Sequence, residues 1–331
     1  MSSHAQPTSE QAPPPEAGPA SPARLSGHDW WSAIVMTVKE FRRDNLTVWA
    51  AALTYYSVLS LFPGLLVLVA ILGLLDDSLT QSLVDNVIPI VPASARDIVT
   101  AAVENVQHGQ GKAGLAAVIG LLVATWSASG YVAGFMQASN AIYDVKEGRP
   151  VWKTVPIRIG VTLVTGVLLV ASMLIVVLSG ELAQRVGDVF GIGPAAVDTW
   201  NVLKWPVLVV IIGLLFAILY WACPNVRQGG FAWVSPGGLV AVVLWVAISL
   251  LFALYTAHFG SYDATYGTLG GVIVFLTWLW LSNVAILFGA EFDAELERRR
   301  AIAAGHPADQ EPYMQMRDGS KVDPGVDEDL S

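Results

Sequence analysis

A chain of 331 residues with 54% hydrophobic and only 14% charged residues cannot clothe a soluble surface, for which roughly 25% charged is usual. Its formal net charge of −9 gathers in the tails and loops, with no basic cluster of the kind a nucleic-acid binder needs. A single cysteine, Cys223, excludes an internal disulfide and any multi-cysteine zinc site; its residue type suits a small buried hydrophobe at a helix end.

Residues 1–28 are rich in Pro, Ala and Ser and predict a disordered cytoplasmic tail. From Asp29 the pattern changes. Trp30, Trp31, Ile34, Val35, Val38 and Phe41 recur at helical spacing among Lys39, Arg42 and Arg43, which describes an amphipathic helix in the headgroup region. No cleavable signal peptide is visible in this sequence. The first long apolar run starts near residue 49, so the first span itself is expected to act as the insertion signal.

That span, 49–75, carries no charge, and at ~1.5 Å per residue it crosses a hydrocarbon core about 30 Å thick. It holds a polar patch of Thr54, Tyr55, Tyr56, Ser57 and Ser60, followed by Pro63-Gly64, which offers a break in the helix. The connection 76–112 predicts two short amphipathic helices, one striped by Leu79, Leu83 and Val87, the other by Ile98, Ala102, Val103 and Val106. A second span, 114–143, repeats Gly130, Gly134 and Ala138 at i, i+4, the spacing that lets helices approach closely. Gly130, Ala133, Gln137 and Asn140 share a face, which is expected to point into a bundle. Further spans are expected at 159–182, 202–222, 238–257 and 268–289. The last runs into Glu291, Asp293 and a charged end, and 301–331 predicts an acidic disordered tail.

With six spans and the N-terminus inside, inner segments hold 14 of the 18 Lys and Arg and outer segments 4, so both termini are expected in the cytoplasm. The fold class is therefore all-α: a polytopic bundle of six transmembrane helices, with amphipathic helices at the interface and in the first outer loop. Its environment is the lipid bilayer.

Three stretches carry a resemblance: AALTYYSVLSLFP around residues 51–63, ASNAIYDVKEGRPVWK from Ala138, and the run from Ser235 through Tyr266-Gly267, Trp278 and the Gly-Ala-Glu of 289–291. Over nearly all of residues 30–300 the chain resembles the YihY/BrkB family of bacterial inner-membrane proteins. The resemblance implies a six-helix protein of the bacterial plasma membrane. Members of that family were once labelled ribonuclease BN, and others have been connected with serum resistance or lipid export.

The residues disfavour a nuclease. Metal-assisted hydrolysis needs converging His and carboxylate ligands, whereas His4, His28, His108, His258 and His306 are scattered and no HExxH spacing occurs. Neither a GxSxG elbow nor a phosphate-binding GxxxxGK[ST] loop is present, so no enzyme, metal or cofactor is expected. Polar groups inside spans must face protein or water, which makes Tyr55, Ser57, Ser60, Pro63, Gln137, Asn140, Tyr266, Asn283 and Glu291 candidates for a substrate path. His258 and Asp263 are candidates for a gate. The expected function is a transporter or exporter of a small or lipid-like substrate. The alternative is a non-catalytic membrane scaffold or envelope-integrity protein, and homo-oligomerisation is compatible with either.

Overall fold

The computed structural model describes residues 12–14, 17–75, 113–177, 193–230, 233, 235–258 and 268–322. Among these residues the regular elements are helical, apart from one isolated antiparallel bridge between Val226 and Met316. A 3-10 turn at Pro22–Arg24 precedes α1 (Gly27–Arg43), α2 (Leu46–Leu75), α3 (Ala113–Ile142), α4 (Val151–Val177), α5 (Pro194–Ala222), α6 (Ser235–His258) and α7 (Thr268–Ala303). Four of them, α4 to α7, contain stretches long and apolar enough to cross a membrane. Helices α2 and α3 have 30 residues each, about 45 Å of helix. The expected helices within 76–112 lie outside the described residues.

The chain divides into two compact units, Met1–Thr54 with Val132–Ser331, and Tyr55–Tyr131. In the larger unit, α1 opens with a capping box in which Ser26 and Asp29 satisfy each other's backbone N–H groups. It ends where Asn45 takes a left-handed conformation, φ 51°, and the chain turns into α2. The apolar residues of α1 do not act as one stripe. Ala33, Thr37 and Glu40 are buried, and Trp30 and Phe41 pack on Phe292 and Phe288 of α7 with ring centroids 5.9 and 5.7 Å apart. Trp31, Ile34, Val35 and Val38 remain exposed.

Helices α6 and α7 touch backbone to backbone. A Cβ on Gly237 would overlap the Gly289 carbonyl oxygen, and one on Gly289 would lie 2.5 Å from that of Gly237. Polar side chains stitch the same bundle together. Trp245 donates to Ser282 (3.1 Å), Trp278 to Ser249 (3.1 Å), and Tyr220 to the Ile286 carbonyl (2.6 Å). Helix α7 does not stop near 289 but continues through its charged end to Ala303.

Residues 304–322 run back along the larger unit. Arg317 donates to the carbonyls of Val226 (2.7 Å) and Trp221 (2.6 Å), and the Asn225 amide donates to the Asp318 carbonyl (2.8 Å). The N-terminal segment is held too: Gln315 donates to the Ala12 carbonyl and Arg300 to that of Ala17, both at 2.8 Å. The expected disordered tails, 1–28 and 301–331, lie in part outside the described residues. In the smaller unit Gly130 faces Tyr56, whose ring carbon lies 3.2 Å from a Cβ built on the glycine. Helix α2 runs unbroken through positions 63 and 64.

Candidate functional site

Four acids occupy alternate positions at the charged end of α7: Glu291, Asp293, Glu295 and Glu297. At about 100° per residue, Glu291 and Glu295 fall on one face and Asp293 and Glu297 on the opposite one. The second face meets backbone donors, although Asp293 Oδ2 is buried there without a hydrogen bond. Asp293 accepts from the Gly237 amide (2.6 Å) in the first turn of α6, where the helix dipole favours an anion. Glu297 accepts from the Gly229 amide (2.7 Å) and is paired with Arg300 at 2.5 Å, both side chains being fully buried.

The first face meets α1. Glu291, Ala294, Glu295 and Arg298 of α7 join Glu40, Arg43 and Asp44 of α1, Ile142, Tyr143 and Asp144 at the end of α3, and Tyr313 and Met314 to enclose a cavity of about 30 Å³. That is room for one or two waters. Arg43 reaches Glu40 (2.7 Å), Asp44 (3.6 Å), Asp144 (3.2 Å) and Glu311 (3.0 Å). Arg298 reaches Glu40 (3.4 Å) and Glu295 (3.2 Å) and lies 4.4 Å from the centre of the Tyr313 ring. Neither arginine pairs with Glu291. One oxygen each of Glu40, Glu291 and Glu295 is buried without a hydrogen bond, that of Glu40 being ion-paired with Arg43 all the same.

Burial pushes the Asp44 carboxyl up to about 6 against the pull of Arg43. Burial and the neighbouring Glu311 charge push Asp144 up to about 7. Arg43 is held above its ordinary value despite its own burial, because Glu311, Glu40 and Asp144 surround it. The chamber thus concentrates negative charge around a water-sized space, which suits it to holding a proton. Among the described residues no three His, Cys, Asp or Glu side chains are arranged to hold a metal ion.

The other sequence candidates lie elsewhere. Asn283 is buried and donates to Thr54 (3.1 Å) and to the Leu279 carbonyl (3.1 Å). Asn140 is buried in a knot: it donates to Glu147 (2.9 Å) and accepts from the Asn225 amide (2.8 Å), while Arg149 pairs with Glu147 (2.6 Å) and caps the Cys223 carbonyl (2.8 Å). Gln137, expected on the same inward face, is exposed. Three residues separate it from Asn140, some 60° around the helix, enough to carry it past the edge of the contact. In the smaller unit Tyr55 is exposed, Ser57 is half-buried, and Ser60 donates to the Tyr56 carbonyl (2.7 Å). Position 63 is helical backbone and His258 is the last residue of α6. Asp263 and Tyr266 lie outside the described residues.

Of the chamber's acids only Glu291 stands out in the sequence. Glu40, Asp44, Asp144 and Glu295 are each one charge among several at a helix end, a pattern that ordinarily reads as a solvated surface. Cys223 is fully buried, and that burial pushes its thiol up to about 12, as befits an inert side chain.

Long apolar helices joined by buried polar stitches define a multi-pass helical membrane protein. The family profile described as Virulence factor BrkB matches residues 37–313, and the chain belongs to that family. It is similar to the "Putative ribonuclease-like protein YfkH" of Bacillus subtilis, 29% identical over 80% of this chain and 93% of that one. It is also similar to UPF0761 membrane proteins of Alkalilimnicola ehrlichii and Alteromonas mediterranea. The first is 32% identical over 86% of this chain and 64% of that longer protein; the second is 29% identical over 78% and 85%. No solved structure matches.

Proposed function

We propose that this chain is a transporter of the bacterial plasma membrane that moves a small or lipid-like substrate, with both termini in the cytoplasm. The observation that carries the reading is Glu291, a buried carboxylate with an unpartnered oxygen, lining a small chamber at the end of an apolar helix. Acids so placed are costly, and in membrane proteins they mark ion and substrate pathways. A scaffold has no need of one. Support for the orientation comes from the 14 cations assigned to inner segments against 4 outside.

The nuclease wording in the name of the Bacillus relative finds no matching ligand set among the described residues. Asn283, Ser282 and Asn140 are engaged in bonds between segments, so their first role is to hold the bundle; the chamber is the station on the path.

The test compares lipids and metabolites of cells with and without the protein, then measures flux of the species that change in vesicles containing purified protein. Flux that requires the protein and falls at least tenfold in Glu291→Ala supports the reading. Vesicles that move none of those species, together with a stoichiometric partner on co-purification, would establish the scaffold instead.

A further inference from the structure

The chamber's charges do not balance. From α1 come Glu40, Arg43 and Asp44; from the end of α3, Tyr143 and Asp144; from α7, Glu291, Glu295 and Arg298; and from the returning segment, Tyr313, with Glu311 reaching Arg43. Arg299 acts on Glu295 from the next position along α7, and His306 stands edge-on to Tyr313 on the returning segment. Six carboxylates thus share two guanidiniums, Arg43 and Arg298, which reach five of them at contact distance and leave out Glu291.

Glu291 itself is 1% exposed, and its free oxygen has no hydrogen-bond partner. An ionised carboxylate cannot stay so placed, shut away from water and without a cation, whereas a carboxylic acid beside a water molecule can. The cavity is too small for an organic cation, and the ligand arrangement suits no metal ion.

We propose that the chamber between α1 and α7 is a proton-binding site in which Glu291 carries the proton and exchanges it with water. Arg43 and Asp144, with side chains 49% and 39% exposed, form its mouth. A proton arriving at Asp144 passes through the cavity water to the free oxygen of Glu291, and its departure leaves a charge that Arg43 and Arg298 must turn to meet. Asp44 and Asp144 are themselves pushed up to about 6 and about 7, first by burial and then by neighbouring carboxylates, against the pull of Arg43. Identifying this proton as the coupling ion rests on the transport reading; its binding does not.

Infrared difference spectra of purified protein in lipid nanodiscs, titrated with acid and base, test the binding directly. The wild type is expected to show the carbonyl stretch of a protonated carboxylic acid at neutral pH. Glu291→Gln, a neutral isostere of the protonated acid, should take Glu291's component out of that band and leave those of Asp44, Asp144 and Asp293, whereas Glu295→Gln should leave the band unchanged. Arg43→Gln, which takes a cation from the mouth, should move the titration of the band to higher pH by roughly one unit. A wild type without the band at neutral pH, or a band untouched by Glu291→Gln and by Arg43→Gln, overturns the proposal. Vesicle flux under an imposed pH gradient separates the two readings. The band without flux refutes transport alone, and flux without the band refutes the proton site alone.

Discussion

Glu291 and Glu295 lie on one face of α7, Asp293 and Glu297 on the other, two residues apart in sequence and opposite in treatment. Toward residues 229–237 each acid meets a backbone N–H, and Glu297 also meets a buried arginine. Toward α1 the acids crowd a water-sized cavity, and Glu291 is left without a cation. The first arrangement locks helices together and the second keeps a group free to change its charge. A single helix can do both because its period sends alternate residues in nearly opposite directions.

Breaking the closed face should cost most. Arg300→Leu strands the buried Glu297 carboxylate and should destabilise the protein by about 3–5 kcal/mol, read as a lowered melting temperature in detergent. Adding Glu297→Gln to that variant should recover part of the loss. Gly237→Ala drives a methyl into the Gly289 carbonyl and the Asp293 carboxylate, and overpacking of this kind should cost ~1–3 kcal/mol and lower the yield of folded protein.

The open face should respond more gently. Glu291→Gln is expected to leave unfolding within about 1 kcal/mol of wild type, because it replaces a protonated acid by its neutral isostere and breaks no ion pair. Equal losses in Arg300→Leu and Glu291→Gln would erase the distinction between the faces.

A finer effect is the dependence on pH. Asp144 is raised from 3.8 to about 7, so the folded protein holds a proton there that the unfolded chain releases near 4. Its contribution to stability is therefore fully present below about 4 and is lost as pH rises toward about 7. Asp144→Asn should flatten the decline in melting temperature over that window, modestly, since the side chain is 39% exposed. Smallest of all, Gln137→Ala on the exposed surface should shift stability by less than about 0.5 kcal/mol in the same melting assay.

Parts of this organisation were legible beforehand. The apolar runs announced long helices, and the change of pattern read at Asp29 lies within the first turn of α1, whose Ser26 cap was not read. Glu291 drew attention as an acid after Gly289-Ala290, yet its surroundings did not. Asn140 was singled out as a path residue; the sequence did not show that it bonds Glu147 and the Asn225 backbone N–H, with Arg149 on the far side of Glu147. The close glycine contact expected on α3 has its tightest counterpart between Gly237 and Gly289, which no i, i+4 repeat announces. The polar, acidic composition of 301–331 did not show that Arg317 and Gln315 would bond the Val226 and Ala12 carbonyls, since such contacts depend on single side chains finding particular partners.

The amino-acid order by itself determined that this protein is helical, that it belongs in a membrane, and which family it joins. The first two follow from hydropathy and spacing and the third from the likeness of whole sequence stretches to a family profile, all of them properties of residues in order along the chain. Only the tertiary structure decided which charges live together. Arg43 meets Asp144 across 101 residues and Glu311 across 268, and such meetings are set by how helices dock. Docking is decided by shape and burial summed over whole faces, so no local pattern along the chain records it.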